Sequence, residues 1–157
     1  MRTRTMSILF INGSPNKNGN TAQLSKAALS GKDYETLNLV DYKIYSYGQH
    51  FDDDQLNEIL EAMEAADTVV IGSPVYWHNL SGAVRNLLDR LYGVLPSGSS
   101  GPLSGKRLAL LYQGAAPAKW MMEAGEYSIK KFCEIYGLDY LGMASTVFEA
   151  KKLSQRI

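Results

Sequence analysis

Short apolar runs recur along the chain, and each gives way to a polar or glycine-containing stretch. Runs of this kind are typical of strands buried on both faces of a parallel sheet. One further segment alternates apolar and polar residues, as a half-buried strand does. The pattern predicts five strands, at residues 7–12, 34–40, 68–72, 107–114 and 138–150.

Between these runs, apolar residues recur at the three- and four-residue spacing of one helix face. Helices are predicted at residues 20–29, 52–67, 81–93 and 117–137. Asn20 or Thr21 is the expected N-cap of the first helix, and Asp52 to Asp54 open the second, where the helix dipole favours acids. Strict alternation predicts one α/β domain over residues 1–157: a doubly wound, five-stranded parallel sheet, order 2-1-3-4-5, with helices on both faces.

Three loops at strand ends are chemically unusual. They span residues 13–21, 73–79 and 113–117, and they follow the first, third and fourth predicted strands. In the predicted order these strands are neighbours, and ligands bind such sheets beyond the carboxyl ends of the strands. The sequence therefore predicts that the three loops form one site.

The first loop, GSPNKNGNT at residues 13–21, stands between a strand and a helix. Amides at a helix N-terminus attract phosphate, and glycines let the backbone approach it closely. Lys17 is the only cation in the loop, and the loop matches neither the G-x-x-x-x-G-K-[ST] nor the G-x-G-x-x-G pattern. The expected ligand is a phosphate that is bound without reaction at phosphorus. A plain turn between strand and helix is the alternative.

The second loop places bulky side chains at the end of the third strand. Pro74 stiffens the backbone, and Val75, Tyr76 and Trp77 supply an apolar and aromatic wall. A flat aromatic ligand needs such a wall. Two adjacent aromatic residues at an extended strand end cannot both point into the core, which favours a surface pocket.

The two motifs GSPNKNGNT and SPVYWHNLSGAVRNLLDR, as a pair, resemble the flavodoxin-like NAD(P)H-dependent oxidoreductases that bind FMN, a family of FMN and quinone reductases. The resemblance implies that the first loop holds the flavin phosphate, the second supports the isoalloxazine ring, and the third approaches the pyrimidine edge of that ring. The implied cofactor-binding residues are Ser14, Pro15, Asn16, Lys17, Asn18, Gly19, Asn20 and Thr21; Pro74, Val75, Tyr76 and Trp77; and Gln113, Gly114, Ala115 and Ala116.

The resemblance also implies an activity: hydride passes from NAD(P)H through bound FMN to a small-molecule acceptor, either a quinone, a nitro or azo compound, or free flavin. No side chain is singled out as a catalytic acid or base. Two alternatives remain open. One is a flavodoxin-type electron carrier without its own NAD(P)H turnover, and the other is a flavin-free regulatory protein on the same fold.

Composition narrows the class of protein. The 157 residues carry 16 basic and 16 acidic side chains, and this balance argues against a nucleic-acid partner and against an acidic electron carrier. The lone Cys133 excludes an internal disulfide and the iron–sulfur centre of some relatives. No metal site is expected. Apolar runs are too short to cross a bilayer, so no membrane association and a cytoplasmic location are expected.

Two remaining segments carry weaker expectations. The Gly/Ser/Pro-rich stretch at residues 94–105 is long for a simple connector, and it is expected to be a lid or an interface loop. After Val147 only ten residues remain, Phe148 and the stretch EAKKLSQRI at residues 149–157, to form a fifth helix. A tail of this length is expected to leave part of one sheet face uncovered, and a homodimer is expected partly for that reason.

Overall fold

A computed structural model describes residues 4–98 and 100–157. The strands are β1 Ile8–Asn12, β2 Glu35–Asn38, β3 Thr68–Tyr76, β4 Asn79–Leu80, β5 Arg107–Gln113 and β6 Asp139–Ala144. The helices are α1 Asn20–Ala28, α2 Leu56–Ala65, α3 Gly82–Tyr92, α4 Lys119–Tyr136 and α5 Val147–Leu153, with 3-10 turns at Leu39–Asp41 and Ser154–Arg156. No helix in these described ranges is long and apolar enough to cross a membrane.

The sheet runs in the order β2-β1-β3-β5-β6, with all of these neighbours parallel. The parallel α/β architecture is therefore confirmed. The predicted count of five strands is wrong, because a sixth strand, β4, pairs antiparallel with the end of β3. The predicted loop at residues 73–79 is instead the end of β3 and a tight hairpin. Its side chains therefore lie at the carboxyl end of the sheet, beside the other two loops.

Helices cover both faces of the sheet. Alternate residues of β1 point to opposite sides: Leu9 and Ile11 pack with α2, α3 and α4, whereas Ile8 and Phe10 pack with α1 and α5. This alternation is the period of two expected of a strand. Each face is closed by an apolar cluster, so the loops at the strand ends are held on a rigid frame.

Several element boundaries differ from the prediction. β2 ends at Asn38 because a 3-10 turn follows it. The N-cap of α1 is Gly19, and neither Asn20 nor Thr21 has that role. β6 ends at Ala144, well short of the predicted strand end, because the Thr146 side chain caps a helix that begins at Val147.

The tail covers more of the sheet than its length suggested. α5 packs beside α1 and buries Ala150 and Leu153 in the apolar cluster of that face. The expectation of a tail too short to cover its sheet face is thereby corrected, because the strand ends early and releases residues for the helix. The predicted homodimer loses this part of its support.

The segment at residues 94–105, which includes Ser99 outside the described residues, precedes β5. It therefore lies at the amino ends of the strands, away from the three loops. Its Leu95 and Leu103 are buried in the core. The prediction that this segment is a lid over the site is therefore wrong, because the segment is anchored in the core at the opposite end of the sheet. The alternative, an interface loop, stays a prediction.

The edge strand β6 is irregular. Its pairing with β5 shifts at a bulge between the pairs Leu108↔Tyr140 and Ala109↔Gly142, so Leu141 has no partner in the ladder. The Arg156 guanidinium donates to the Leu141 carbonyl at 3.1 Å. The tail thus occupies the carbonyl that the bulge leaves free.

The aspartates ahead of α2 do not act simply as dipole partners, because the helix begins only at Leu56. Asp54 forms a largely buried, bidentate pair with Arg90, at 2.5 and 3.1 Å, and also accepts from the Leu56 amide at 3.0 Å. Hydrogen bonding to Arg90 lowers the pKa of the Asp54 carboxyl from 3.8 to about 2. The pair fastens the loop before α2 onto α3.

This pair predicts an acid-sensitive stability. A carboxyl whose pKa is lower in the folded than in the unfolded protein stabilises the fold at any pH above its unfolded pKa. The stabilisation from Asp54 is therefore fully present above about pH 4 and is lost as the pH falls toward 2. We expect about 1–2 kcal/mol of unfolding free energy to disappear over this window, after allowance for solvent screening. Urea unfolding at several pH values measures it, and an Asp54→Asn variant should lose that part of the pH slope. An unchanged slope in the variant contradicts the assignment.

Candidate functional site

The first loop is shaped by successive polar side chains that bind the backbone two residues ahead. Asn12 Oδ1 accepts from the Ser14 amide at 3.0 Å, Ser14 Oγ from the Asn16 amide at 3.1 Å, and Asn16 Oδ1 from the Asn18 amide at 3.1 Å. Asn12 is fully buried, and its Nδ2 donates to Asn38 Oδ1 at 3.1 Å. The loop is therefore preorganised through the ends of β1 and β2.

At the end of this loop, α1 begins with free amides. Its N-cap Gly19 has no side chain to cap it, and the Gly19 carbonyl is first bonded by the Gln23 amide at 3.1 Å. The amides of Asn20, Thr21 and Ala22 precede that bond and have no helical carbonyl to reach. Such a helix end attracts an anion.

Lys17 does not supply a free positive charge to the loop. Its Nζ lies 2.6 Å from Asp41 Oδ1, and both side chains are about half exposed. The attraction of the loop for an anion therefore comes mainly from backbone amides and hydroxyl groups.

The first and second loops are tied together around Gly13. The Gly13 amide donates to the Gly72 carbonyl at 2.7 Å, and Ser81 Oγ donates to the Gly13 carbonyl at 2.8 Å. The Ser81 amide donates in turn to Ser73 Oγ at 2.8 Å. A Cβ built on Gly13 would lie 2.2 Å from Val84 Cγ2, so only glycine fits here.

Three contributions to this network were not predicted from the sequence. They are the side chain of Asn12, the side chain of Ser73 and the bond from Ser81 Oγ to the Gly13 carbonyl. Ser81 was expected only as the N-cap of its helix, a role it has through the Val84 amide. A signal for Asn12 was present, because an amide side chain ends an otherwise apolar strand. The bond from Ser81 to Gly13 joins residues far apart in sequence and leaves no local pattern.

The second loop is a two-residue hairpin between β3 and β4. Trp77 and His78 occupy its turn with φ of +46° and +66°. The flanking pairs are Tyr76↔Asn79 and Val75↔Leu80. The Trp77 side chain is 91% exposed and Tyr76 is 48% exposed, which confirms the prediction that the two adjacent rings cannot both point into the core.

Two cavities open where the loops meet. One, of about 240 Å³, is lined by Val75, Trp77, His78, Gly114, Ala115, Ala116, Pro117 and Met121. The other, of about 230 Å³, is lined by Gly13, Ser14, Pro15, Val40, Tyr76, Ser81, Gly82 and Ala83. Tyr76 thus lines the cavity beside the first loop, whereas Trp77 and His78 line the cavity beside the third loop.

The first and third loops also meet directly. Gln113 Nε2 donates to Thr21 Oγ1 at 3.4 Å. A third cavity of about 230 Å³ lies beside this contact and is lined in part by Asn20 and Gln113. The structure therefore brings all three loops together, as the sequence predicted from strand order.

Not every predicted residue faces these cavities. Pro74 is buried in the ladder opposite Gln113 and can act only through backbone shape. Asn16, Lys17 and Asn18 are exposed on the outer side of the first loop. Two larger cavities, each of about 460–470 Å³, lie elsewhere, beside the start of β1 and beside the tail.

The third loop is held by α4. The Tyr112 hydroxyl donates to the Met121 carbonyl at 3.3 Å, and burial raises its pKa to about 12. Gly125 gives that ring room, because a Cβ there would lie 2.4 Å from Tyr112 Cε1. Burial likewise raises the pKa of the Cys133 thiol to about 12, so this cysteine is a neutral core residue at the working pH.

The sheet order, with a loop after β1 that leads into an uncapped helix and further loops after β3 and β5, defines a flavodoxin-like α/β protein. A profile of the NADPH-dependent FMN reductase family matches residues 6–135. The chain belongs to this family, and the resemblance drawn from its two motifs is confirmed. The predicted cofactor, FMN, is the one named in the description of the family.

Curated relatives match between 54% and 64% of the chain. An iron-sulfur flavoprotein of Archaeoglobus fulgidus is 37% identical over 97 residues, which cover 54% of this chain and 48% of that protein. A putative NAD(P)H-dependent FMN-containing oxidoreductase of Bacillus subtilis is 29% identical over 93 residues, which cover 54% of this chain and 51% of that protein. The chain spans about half the length of the curated relatives it matches.

Solved structures match over nearly the whole chain. The Trp repressor binding protein of Bacillus subtilis has a TM-score of 0.76 at 19% identity, and covers 93% of this chain and 96% of its own. An NADH:FMN oxidoreductase in its apo form has a TM-score of 0.66 at 22% identity, and covers 97% of this chain and 86% of its own. At these identities the likeness shows the fold alone.

Proposed function

We propose that this chain binds FMN and acts as an NAD(P)H-dependent flavin oxidoreductase that reduces a small-molecule acceptor: a quinone, a nitro or azo compound, or free flavin. The observation that carries the proposal is the uncapped N-terminus of α1, framed by a preorganised loop and adjoined by the hairpin and third loop. Family membership supports the same cofactor.

The first loop fits a phosphate monoester. Free amides at residues 20–22 are aimed at one position beyond the helix, and Ser14 and Thr21 add buried hydroxyl groups beside them. Ser14 Oγ accepts from the Asn16 amide and keeps its own proton to donate. A phosphate held by these donors needs no cation of its own, which agrees with the pairing of Lys17 to Asp41.

The hairpin and the third loop fit a flat ring. Val75 and Gly114 are packed so closely that a Cβ on Gly114 would lie 3.0 Å from Val75 Cβ. A side chain at residue 114 would therefore displace Val75, a residue proposed to support the ring. In the proposal, the amides of Gly114, Ala115 and Ala116, which line the adjacent cavity, would stabilise negative charge at the pyrimidine edge, as donors of an oxyanion hole do.

Bound FMN would supply two-electron chemistry, with a hydride accepted from NAD(P)H and two electrons passed on to the acceptor, the proton going to the acceptor or to solvent. The chain supplies binding, orientation and electrostatic stabilisation. Its ionisable groups with shifted pKa values, Asp54, Tyr112 and Cys133 among them, are engaged in structure. No side chain is therefore proposed as a catalytic acid or base.

The test is the visible absorption spectrum of the purified protein, supplied with FMN and then with NADPH or NADH without oxygen. A flavin band that bleaches supports both cofactor and reductase activity. A band that persists with both nucleotides favours the electron carrier. No band after FMN is supplied favours the flavin-free alternative and contradicts the proposal.

The homodimer is also a proposal. It is supported by exposed aromatic side chains at the β2–α2 connection and on α3: Tyr47 is 60% exposed, Phe51 52% and Tyr92 72%. Apolar surface of this kind is commonly covered by a partner. Sedimentation velocity at micromolar concentration tests the assembly, and a monomer there contradicts it.

A further inference from the structure

The hairpin turn carries side chains that its backbone disfavours. A two-residue turn with positive φ at both positions is normally built from Asn and Gly, because a Cβ is strained in the left-handed region. Here the two positions are Trp77 and His78, with φ of +46° and +66°. Non-glycine residues in this region persist only where the surrounding structure enforces them, and they cluster at active and ligand-binding sites.

Core packing does not account for these two side chains. Trp77 is 91% exposed, and its ring stacks on that of His78, with centroids 5.4 Å apart and planes 14° from parallel. The His78 ring in turn meets Trp120 edge-on, at 5.3 Å and 67°. Trp120, in the first turn of α4, is itself 56% exposed. Three rings therefore form a continuous aromatic surface, the Trp77–His78–Trp120 array, that faces solvent.

The array borders the third loop. Trp77 and His78 line the same cavity as Gly114, Ala115 and Ala116, whose amides are proposed to face the flavin. The charged side chains next to Trp120 on α4, Lys119 and Glu123, pair with each other at 3.5 Å. The surface beside the cavity is thus aromatic and has little uncompensated charge, and it suits an uncharged flat ring better than an anion or a charged protein surface.

We propose that the Trp77–His78–Trp120 array determines acceptor specificity: the second substrate is an uncharged aromatic or quinonoid ring that stacks on it. This inference rests on the proposed function and adds to it the residues that select the acceptor. These residues act by binding and orienting the acceptor, and no proton transfer is assigned to them.

Trp120 gives the cleanest test, because it lies outside the residues proposed to bind FMN. The experiment uses FMN-saturated protein and compares kcat/KM for menadione, a flat uncharged quinone, with kcat/KM for ferricyanide, an anion without a ring. Removal of one stacking partner in Trp120→Leu should lower the menadione-to-ferricyanide ratio about tenfold. Tyr127→Leu is the matched control, since Tyr127 is on the same helix and is 62% exposed, and its ratio should equal that of the wild type.

The strain itself gives an independent test. The double variant Trp77→Asn, His78→Gly supplies the residues that the turn prefers, so its melting temperature should rise by about 3–6 °C while the menadione-to-ferricyanide ratio falls. A gain in stability with loss of acceptor selectivity is the signature of side chains retained for binding. A lower melting temperature with an unchanged ratio means that the rings serve only the fold.

Other outcomes separate the two proposals. If neither NADPH nor NADH reduces the bound FMN of the wild type, the proposed function fails. If it reduces both acceptors and the Trp120→Leu ratio is unchanged, only the specificity inference fails. A rise in the KM for NADPH in Trp120→Leu, with menadione unaffected, places the nucleotide on the array and overturns the inference. An equal fall of the ratio in Trp120→Leu and Tyr127→Leu also overturns it.

Discussion

A Gly13→Ala variant should bind FMN at least about a hundredfold more weakly and lose about 3 kcal/mol of unfolding free energy. The added Cβ would lie 2.2 Å from Val84 Cγ2 and 2.8 Å from the Gly72 carbonyl oxygen. The backbone cannot move aside cheaply, because Gly13 is bonded on both of its polar groups, to Gly72 and to Ser81. Any relief of the clash shifts the loop that is proposed to hold the phosphate. Urea unfolding and flavin fluorescence titration measure the two effects.

Gly82→Ala is the folding control for this variant. Gly82 is the first residue of α3, adjoins Ser81, and has open space where a Cβ would be. Alanine is the better helix former, so stability should be unchanged or slightly higher. If Gly13→Ala bound FMN with wild-type affinity, the tight approach of the two loops would have no part in the cofactor site.

An Asn20→Asp variant should bind FMN about a hundredfold more weakly while the protein becomes slightly more stable. Asn20 is exposed at the start of α1, where no side chain caps the helix. A carboxylate there interacts favourably with the helix dipole, by about 0.5 kcal/mol. The same charge repels a phosphate at the helix end, by a few kcal/mol at the separations of neighbouring groups. Thermal unfolding without flavin measures the expected gain in stability, and fluorescence titration with FMN measures the expected loss of affinity.

The matched control is Asn57→Asp. Asn57 is exposed in the first turn of α2, whose N-cap residue Gln55 makes no side-chain cap bond, although Asp54 accepts from the Leu56 amide. It should give a comparable small gain in stability and leave the affinity for FMN unchanged. Comparison of the two variants separates the repulsion of a phosphate at α1 from the general effect of a carboxylate on the stability of a helix. Equal affinities for FMN in the two variants would mean that the phosphate does not bind at α1.

The sequence predicted those parts of the fold that local patterns determine. α4 ends where expected because Gly137 takes a left-handed conformation, with φ of +78°, that suits glycine at a helix C-terminus. The hairpin was missed because its turn is Trp77–His78, which lacks the Asn-Gly signal of a two-residue turn. The unusual turn residues that hid the hairpin from prediction are also the residues on which the proposed acceptor site rests.

The candidate site was predictable in outline and less so in its supports. Strand order alone placed the three loops together, and the structure agrees. The bonds that fix them, from Ser81 to Gly13 and from Asn12 to Asn38, join residues distant in sequence. Such pairings depend on the register of neighbouring strands, and no single-sequence pattern specifies them.

Both edges of the sheet resist the addition of a further strand. β2 presents only four residues, and β6 is kinked by its bulge, with the Leu141 carbonyl already occupied by Arg156. Short, bulged or covered edges are how natural proteins prevent edge-to-edge aggregation. A dimer of this chain would therefore join through helix faces or loops, and its two sheets would stay separate instead of merging into one continuous sheet.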